Sequence, residues 1–172
     1  MEMFMNRLPS PVGVLTLVWD EDEYLRALDF EGYEERFERL LTSHYGQRRP
    51  RKTQIPGTIR TAIEAYFAGH FAAVYALPVR TNGTAFQQQV WAALREIPPA
   101  NTKSYGEIAR QVGRPGASRA VGRANGSNPI GIVVPCHRVI GADGGLTGYG
   151  GGMDRKRWLL DHERAHFLRV AG

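Results

Sequence analysis

Cysteine is nearly absent from this sequence, with Cys136 the sole example among 172 residues. A lone thiol can form no internal disulfide and supplies no Cys-rich metal site. Disulfide-stapled secreted scaffolds and zinc-ribbon folds are therefore excluded, and a reducing, cytoplasmic compartment is expected. Long apolar runs are also missing, since none approaches the ~20 residues of a membrane span. The start, Met-Glu-Met-Phe-Met-Asn-Arg, lacks the basic region and long apolar core of a signal peptide. Internal repeats and low-complexity tracts are lacking. Acidic residues run short in the second half: residues 81–172 hold 6 Asp/Glu against 12 Lys/Arg, whereas residues 1–80 hold 11 against 10.

What is present is an ordinary globular composition, 42% hydrophobic and 23% charged, with a net charge of +5. The length suits one large domain or two small ones. A basic second half beside a neutral first half points to a polyanionic partner for the former. Leu77 to Gly83 has turn chemistry where the charge balance changes, so it marks a boundary between residues 1–80 and 81–172.

The first thirty residues read as strands. Val14 to Trp19 is β-rich, Asp20 to Glu23 is an acidic turn, and Leu25 to Phe30 returns as a hairpin partner. Tyr33, Phe37, Leu40, Leu41 and His44 fall at helical spacing, as do Ile59, Ala62, Ile63, Tyr66 and Phe67, with Gly69 as a stop. Between them, Gly46 to Pro56 reads as a basic loop whose Arg48 to Lys52 run is either solvated or in contact with phosphates. His44 and His70 read as packing or surface histidines.

In the second half Thr84 can cap a helix with Phe86, Val90, Leu94 and Ile97 on one face, stopped by Pro98-Pro99. Ser104-Tyr105-Gly106-Glu107 is a capping box. Ile108, Ala109 and Val112 form the buried face of that helix, and Gly113 to Gly116 makes a tight turn. The next helix buries Ala117, Ala120, Val121 and Ala124 and displays Arg119 and Arg123 together from another face. Two short helices around a glycine turn fit a helix-turn-helix, although paired short helices also occur in enzymes. Ile130 to Val134 is apolar and β-branched, and reads as a buried strand ended by Pro135.

Gly141 to Gly152 contains seven glycines in twelve residues, with Asp143-Gly144 as a hairpin turn. No Gly-x-x-x-x-Gly-Lys-Ser/Thr occurs, so this is not a nucleotide phosphate loop. It reads either as a segment that approaches a flat ligand closely or as a plain flexible loop. Asp154 can cap a final helix through Trp158, Leu159, His162 and Glu163. Cys136 itself is either a small buried hydrophobe or a nucleophile. An unperturbed thiol is only a few per cent ionised at neutral pH, so a nucleophile needs a base or positive field, for which His137 and Arg138 are candidates. Neighbouring residues on a strand point to opposite faces, so His137 serves Cys136 only if the chain turns there. Glu163 is the acid best placed to orient the histidine.

Pro135-Cys136-His137-Arg138-Val139 resembles the active-site signature of the O6-alkylguanine-DNA alkyltransferases. The similarity extends through Asn128-Pro129, Gly148-Tyr149 and Leu159-Leu160-x-His162-Glu163. It also covers Thr84-x-Phe86-Gln87-x-x-Val90-Trp91, Tyr105-Gly106 and Arg114-Pro115-Gly116-Ala117-x-Arg119-Ala120-Val121-Gly122. The first half matches more loosely, through Gly13, the Glu-Arg helix and Tyr66 to Gly69. The length resembles the bacterial constitutive type, in which no second, regulatory domain is expected.

That resemblance implies an α+β fold: a small antiparallel sheet with helices (RNase H-like) over residues 1–80, and a mainly helical, winged helix-turn-helix domain over 81–172 that holds the cysteine. It implies a suicide enzyme, a monomer in the free state and away from membranes, that binds double-stranded DNA in the minor groove and flips the damaged base. The alkyl group of O6-alkylguanine, and of O4-alkylthymine, passes irreversibly to Cys136, which is activated through His137, a water and Glu163. By the same resemblance Asn128 holds the active-site turn, and Tyr105 crowds the phosphate and donates to the guanine ring. Arg119 fills the space of the flipped base. Ser104, Ala117, Ser118, Gly122, Gly126 and Arg123 belong to the DNA-facing surface, the small ones allowing close approach. Val139, Tyr149 and Gly150 line the guanine site. No cofactor or metal is implied, and a structural zinc found in some members is not expected in a chain with no cysteine before residue 80. Gly131 stands where some relatives carry a bulkier residue, which bears on alkyl-group size. The competing readings are a Cys-His thiol hydrolase working through an acyl-enzyme and a non-catalytic module that senses alkylated guanine.

Overall fold

Alternating apolar residues near the start build three strands, β1 (Met3–Leu8), β2 (Leu15–Asp20) and β3 (Leu25–Phe30), each antiparallel to the next. The computed structural model describes residues 1–171, with side chains up to Phe167. A two-residue strand β4 (Arg51–Lys52) pairs in parallel with Phe4 and Met5, giving the order β3-β2-β1-β4. The sheet is therefore mixed rather than purely antiparallel, and the basic 46–56 segment is not loop throughout. An unpaired edge on β1 leaves backbone groups unsatisfied, and the extended Arg51-Lys52 backbone satisfies part of it. The Arg49 and Arg51 side chains meet Glu38 and Glu2 at the surface.

Sheet and helix meet through matching periods. Met3, Val18 and Ala27 form one cluster with Phe37, Leu41 and Tyr45, three positions four apart on helix α1 (Glu34–Tyr45). Helix α2 (Gly57–Phe67) buries Ile59, Ala62, Ile63 and Tyr66, stops ahead of Gly69, and leads to the short α3 (Ala72–Ala76). The chain divides into two compact units. The first comprises Met1–Asn82 together with Pro129–Val133; the second comprises Gly83–Asn128 and the chain from Val134 onward.

The second unit is mainly helical. Helix α4 (Ala85–Arg95) opens with a full capping box between Thr84 and Gln87, and buries Val90, Trp91 and Leu94. It ends at Arg95, so the two prolines lie beyond it rather than at its last turn. Helix α5 (Tyr105–Gln111) opens with the reciprocal Ser104–Glu107 box. The turn to helix α6 (Ser118–Gly126) carries Pro115 and then Gly116 at φ +86°, with Ala117 N–H bonded to Arg114 O. Proline followed by a positive-φ glycine is what a type II turn requires. Strands β5 (Lys103–Ser104) and β6 (Val139–Ile140) pair in parallel, and helix α7 (Met153–Ala171) closes the unit. Among the described residues, no helix is long and apolar enough to cross a membrane.

Three expectations fail in this half. Ile130 to Val134 is buried but is not a strand. One bridge joins Ile130 to Leu28, after which the chain turns, with Ile132 at φ +68°. Burial and β-branching alone do not separate a buried strand from a buried turn. Asp143-Gly144 sits in a turn closed by Gly144 N–H to Gly141 O, but β6 before it pairs with β5 and no strand follows it, so there is no hairpin. Asp154 lies inside the first turn of α7, where its charge suits the helix dipole, rather than at the cap.

The capping boxes set the starts of α4 and α5. Thr84→Ala and Ser104→Ala are each expected to cost about 1 kcal/mol, the usual loss for a removed cap. Urea unfolding of both variants beside Thr84→Ser measures this; an unchanged Ser104→Ala midpoint would show that the start of α5 is fixed by packing instead.

Candidate active site

The bend required by the sequence is present. Cys136–Arg138 form one turn of 3-10 helix, with Cys136 N–H bonded to Val134 O at 2.8 Å and Arg138 N–H to Pro135 O at 3.0 Å. In a 3-10 turn successive side chains are ~120° apart rather than opposed, so Cys136 and His137 leave the same turn. The preceding chain is strained to reach it. A β-branched residue at positive φ, Ile132, costs on the order of 1–3 kcal/mol. Asn128 fastens this geometry by donating from Nδ2 to Val134 O at 2.8 Å. Buried Asn125, absent from the expected set, reaches Cys136 O from Nδ2 at 3.4 Å.

His137, Arg138 and Glu163 make a buried charge cluster. Glu163 is fully buried, at 0% exposure. Its Oε2 is 2.6 Å from His137 Nε2, and Arg138 donates from Nε to Oε1 at 2.8 Å and from Nη2 to Oε2 at 2.9 Å. The remaining arm of the guanidinium, Nη1, donates to Ile97 O at 2.5 Å. Burial pulls Glu163 toward its neutral form, but the charges of and hydrogen bonds from His137 and Arg138 outweigh it and hold the carboxyl far below its usual range. Burial lowers the pKa of His137 from 6.5, with Glu163 opposing. A neutral His137 then donates from Nε2 to the ionised carboxylate, which leaves Nδ1 as a lone-pair acceptor. That nitrogen is buried and has no hydrogen-bond partner among the described residues. Arg138, a candidate source of positive field for the thiol, is instead committed to Glu163.

Cys136 is 8% exposed and outside any disulfide. The cation whose field reaches it is Lys156, which the sequence reading missed. Lys156 is fully buried, and its Nζ donates to Val139 O at 2.6 Å and Thr147 O at 3.1 Å. Burial lowers its pKa, while the charge of Cys136 favours its ionised form. A signal existed: Lys156, Leu160 and Glu163 are spaced four and three apart on α7, so they share its buried stripe.

The remaining predicted residues lie in the second unit. The Tyr105 hydroxyl is 2.6 Å from Thr147 Oγ1, and a Cβ on Gly122 would lie 3.8 Å from the Tyr105 ring. Arg119 and Arg123 project from α6, both exposed and without an ion pair among the described residues. Ala117 is the residue before α6 and Ser118 its first residue; Ser104 is spent on the α5 cap. Val139 is buried, and its carbonyl accepts from Lys156. Tyr149 and Gly150 are partly buried in the glycine-rich segment. In the first unit, a Cβ at Gly131 would meet the Phe30 ring at 3.2 Å and Leu28 O at 3.4 Å, so glycine here answers a packing need.

A buried free thiol on a tight turn, a histidine held at one nitrogen and a helix displaying two exposed arginines are the parts that a cysteine nucleophile with a basic recognition element requires. A sequence profile for the 6-O-methylguanine DNA methyltransferase DNA-binding domain matches residues 85–165. A methylated-DNA--protein-cysteine methyltransferase of Salmonella typhimurium is 50% identical over 166 residues, covering 95% of this chain and 96% of the relative. One from Mycolicibacterium paratuberculosis is 49% identical over 91% of this chain and 90% of its own length. The crystal structure of Mycobacterium tuberculosis OGT in complex with DNA superposes with a TM-score of 0.80 at 43% identity, covering 96% and 94% of the two chains. The chain belongs to the methylated-DNA--protein-cysteine methyltransferase family.

The charge cluster fixes how stability depends on pH. His137 has a folded pKa below its unfolded 6.5, so below pH 6.5 the unfolded chain takes up a proton that the folded chain refuses, and stability falls. Glu163 contributes stability above its unfolded 4.5 that is lost as pH falls toward its depressed folded value. Urea unfolding at several pH values should therefore show a decline beginning near 6.5 and steepening below 4.5. His137→Gln should reduce the first decline, leaving the part due to half-buried His44, whose pKa burial also lowers. Glu163→Gln should cost about 3–5 kcal/mol at neutral pH, because it leaves Arg138 charged and buried. A Glu163→Gln protein as stable as wild type would refute this account of the cluster.

Proposed function

We propose that this chain repairs alkylated DNA by moving the alkyl group from O6 of guanine to Cys136, once per molecule. The observation that carries this reading is His137. Its Nε2 is fixed on Glu163 while Nδ1 stays buried and open as a base on the turn that presents the thiol. The thiol proton leaves through a water toward Nδ1, and the sulfur lone pair attacks the alkyl carbon. The carbon–oxygen bond breaks, its electron pair goes to the guanine oxygen, and protonation returns unmodified guanine. The product is a neutral thioether that water does not readily cleave, so no second step regenerates the thiol.

Residue roles follow from the same reading. Asn128 holds the turn, Tyr105 donates to the base, and Val139, Tyr149 and Gly150 line the guanine site. Arg119 takes the place of the flipped base, and Ser104, Ala117, Ser118, Gly122 and Arg123 face the duplex. Support for the DNA-facing surface comes from the exposed, unpaired Arg119 and Arg123 beside small residues on α6. The α5–turn–α6 arrangement supports a helix-turn-helix, with the short β5–β6 pair as its wing. The order β3-β2-β1-β4, with only the last pair parallel, supports an RNase H-like first domain in a support role over residues 1–80, residues 81–172 forming the reactive domain. A reducing cytoplasm is the compartment in which a lone nucleophilic thiol stays usable. A thiol hydrolase would leave the arginine helix unexplained, and a non-catalytic sensor would leave the locked histidine beside Cys136 without purpose.

Incubation with a duplex carrying O6-methylguanine should leave one methyl group on the Cys136 peptide, read by mass spectrometry, and an equal amount of repaired base. An unmodified cysteine beside unrepaired DNA would sink the proposal, and repeated turnover would favour the hydrolase. Arg119→Ala should slow reaction with duplex by about tenfold or more while sparing free O6-alkylguanine, since only the duplex requires the base to be unstacked. Equal losses on both substrates would remove its flipping role.

A further inference from the structure

Thr147 belongs to none of the roles above, yet it is gripped from two sides. Its hydroxyl oxygen lies 2.6 Å from the Tyr105 hydroxyl at the start of α5, and its carbonyl accepts from the buried Lys156 ammonium of α7 at 3.1 Å. The same ammonium donates to Val139 O at 2.6 Å, the strand residue directly after the Cys136 turn. Thr147 stands midway in the 141–152 segment, whose glycines give the backbone many conformations to lose. The other hydrogen bonds of the segment include several internal ones, namely Gly141 N–H to Gly145 O, Gly144 N–H to Gly141 O and Gly152 N–H to Tyr149 O. They shape its ends; Thr147 ties its middle to both helices.

We propose that Thr147 is a positioning residue for alkyl transfer, its hydroxyl donating to Tyr105 so that the tyrosine proton is directed at the base. The inference rests on the repair reading above, in which Tyr105 donates to guanine. A tyrosine hydroxyl has a single proton. If that proton went to Thr147, none would remain for the base. With Thr147 as the donor, Tyr105 accepts one bond and gives another, and a hydroxyl that accepts a hydrogen bond becomes a better donor. The Lys156 bond to the Thr147 carbonyl holds the threonine backbone where its side chain can do this. A glycine-rich segment thus gains one fixed point, set against the tyrosine that meets the substrate.

The test compares single-turnover methylation of Cys136 by an O6-methylguanine duplex across wild type, Thr147→Ser, Thr147→Val, Tyr105→Phe and the Tyr105→Phe/Thr147→Val double variant. Thr147→Val keeps the shape and loses the hydroxyl, and should lower the maximal rate by about tenfold, equal to about 1.4 kcal/mol. Thr147→Ser should restore most of the rate. In the Tyr105→Phe background Thr147→Val should add no further loss, because its effect runs through the tyrosine oxygen. A wild-type rate in Thr147→Val, failure of serine to rescue, or a full additional loss in the double variant would each overturn the assignment. A wild-type protein that takes up no methyl group at all would instead overturn the repair reading, and this inference with it.

Discussion

One buried carboxylate organises the reactive half of this protein. Glu163 receives His137 and Arg138, adjacent residues whose side chains would leave a strand on opposite faces. Both can reach one carboxylate only from a tight turn, so the cluster and the 3-10 geometry require each other. Arg138 adds a third attachment through Ile97 O, just past the end of α4. The turn carrying Cys136 is thereby tied to the last helix and to the helix that opens the unit. Two buried cations around one anion would be costly if both were charged, because desolvation of each ion amounts to several kcal/mol. Keeping His137 neutral removes that conflict. The Arg138–Glu163 fork provides the electrostatic balance, and the histidine is left with a directed proton on one nitrogen and a base on the other.

Lys156 poses the complementary problem. It is buried, donates to two carbonyls and pairs with no carboxylate among the described residues. Carbonyl dipoles alone compensate an ammonium poorly. The opposite charge in electrostatic reach of it is that of Cys136 when the thiol is ionised. The nucleophile is therefore served by two different devices. In the proposed mechanism His137 manages the proton and Lys156 supplies the field, since the Arg138 guanidinium is committed to Glu163.

Much of this was legible in the sequence, for reasons that differ by residue. Phe37 and Leu41, or Ile59 and Ile63, declare their helices because a period near four is visible without tertiary knowledge. Thr84/Gln87 and Ser104/Glu107 declare helix starts because capping is local chemistry. Cys136, His137 and Glu163 were put together on the condition that the chain turns after Pro135, and that turn is present as 3-10 helix. Ile130 to Val134 was misread as a strand because hydrophobicity reports burial, not direction, and Ile132 at positive φ has no marker in the sequence. The parallel pairing of Arg51-Lys52 joins residues 47 positions or so apart, and no local pattern encodes it. Lys156 was overlooked because a lysine is read by default as solvated, even when its spacing from Leu160 and Glu163 puts it on the buried stripe. Thr147 was hidden for a different reason: it lies in a glycine-rich segment, between Leu146 and Gly148, and its two partners lie on α5 and α7.

The division between rigid and adaptable parts follows from the chemistry required. Cys136, His137, Glu163 and Arg138 sit on a turn and a long helix and are fully or nearly fully buried, which is the rigidity the proposed proton transfer calls for. The proposed base-binding segment, by contrast, is rich in glycine, with Tyr149 and Gly150 carried on a backbone that can approach a flat ligand closely. Such a backbone loses more entropy on ordering than any other, so a segment built this way holds a defined position only where a side chain fastens it. Thr147, with one bond to Tyr105 and one from Lys156, supplies that fastening at the middle of the segment. The lysine at its other side is the same one whose charge answers the nucleophile, so any shift of the ammonium is felt both by the sulfur and by the segment facing it.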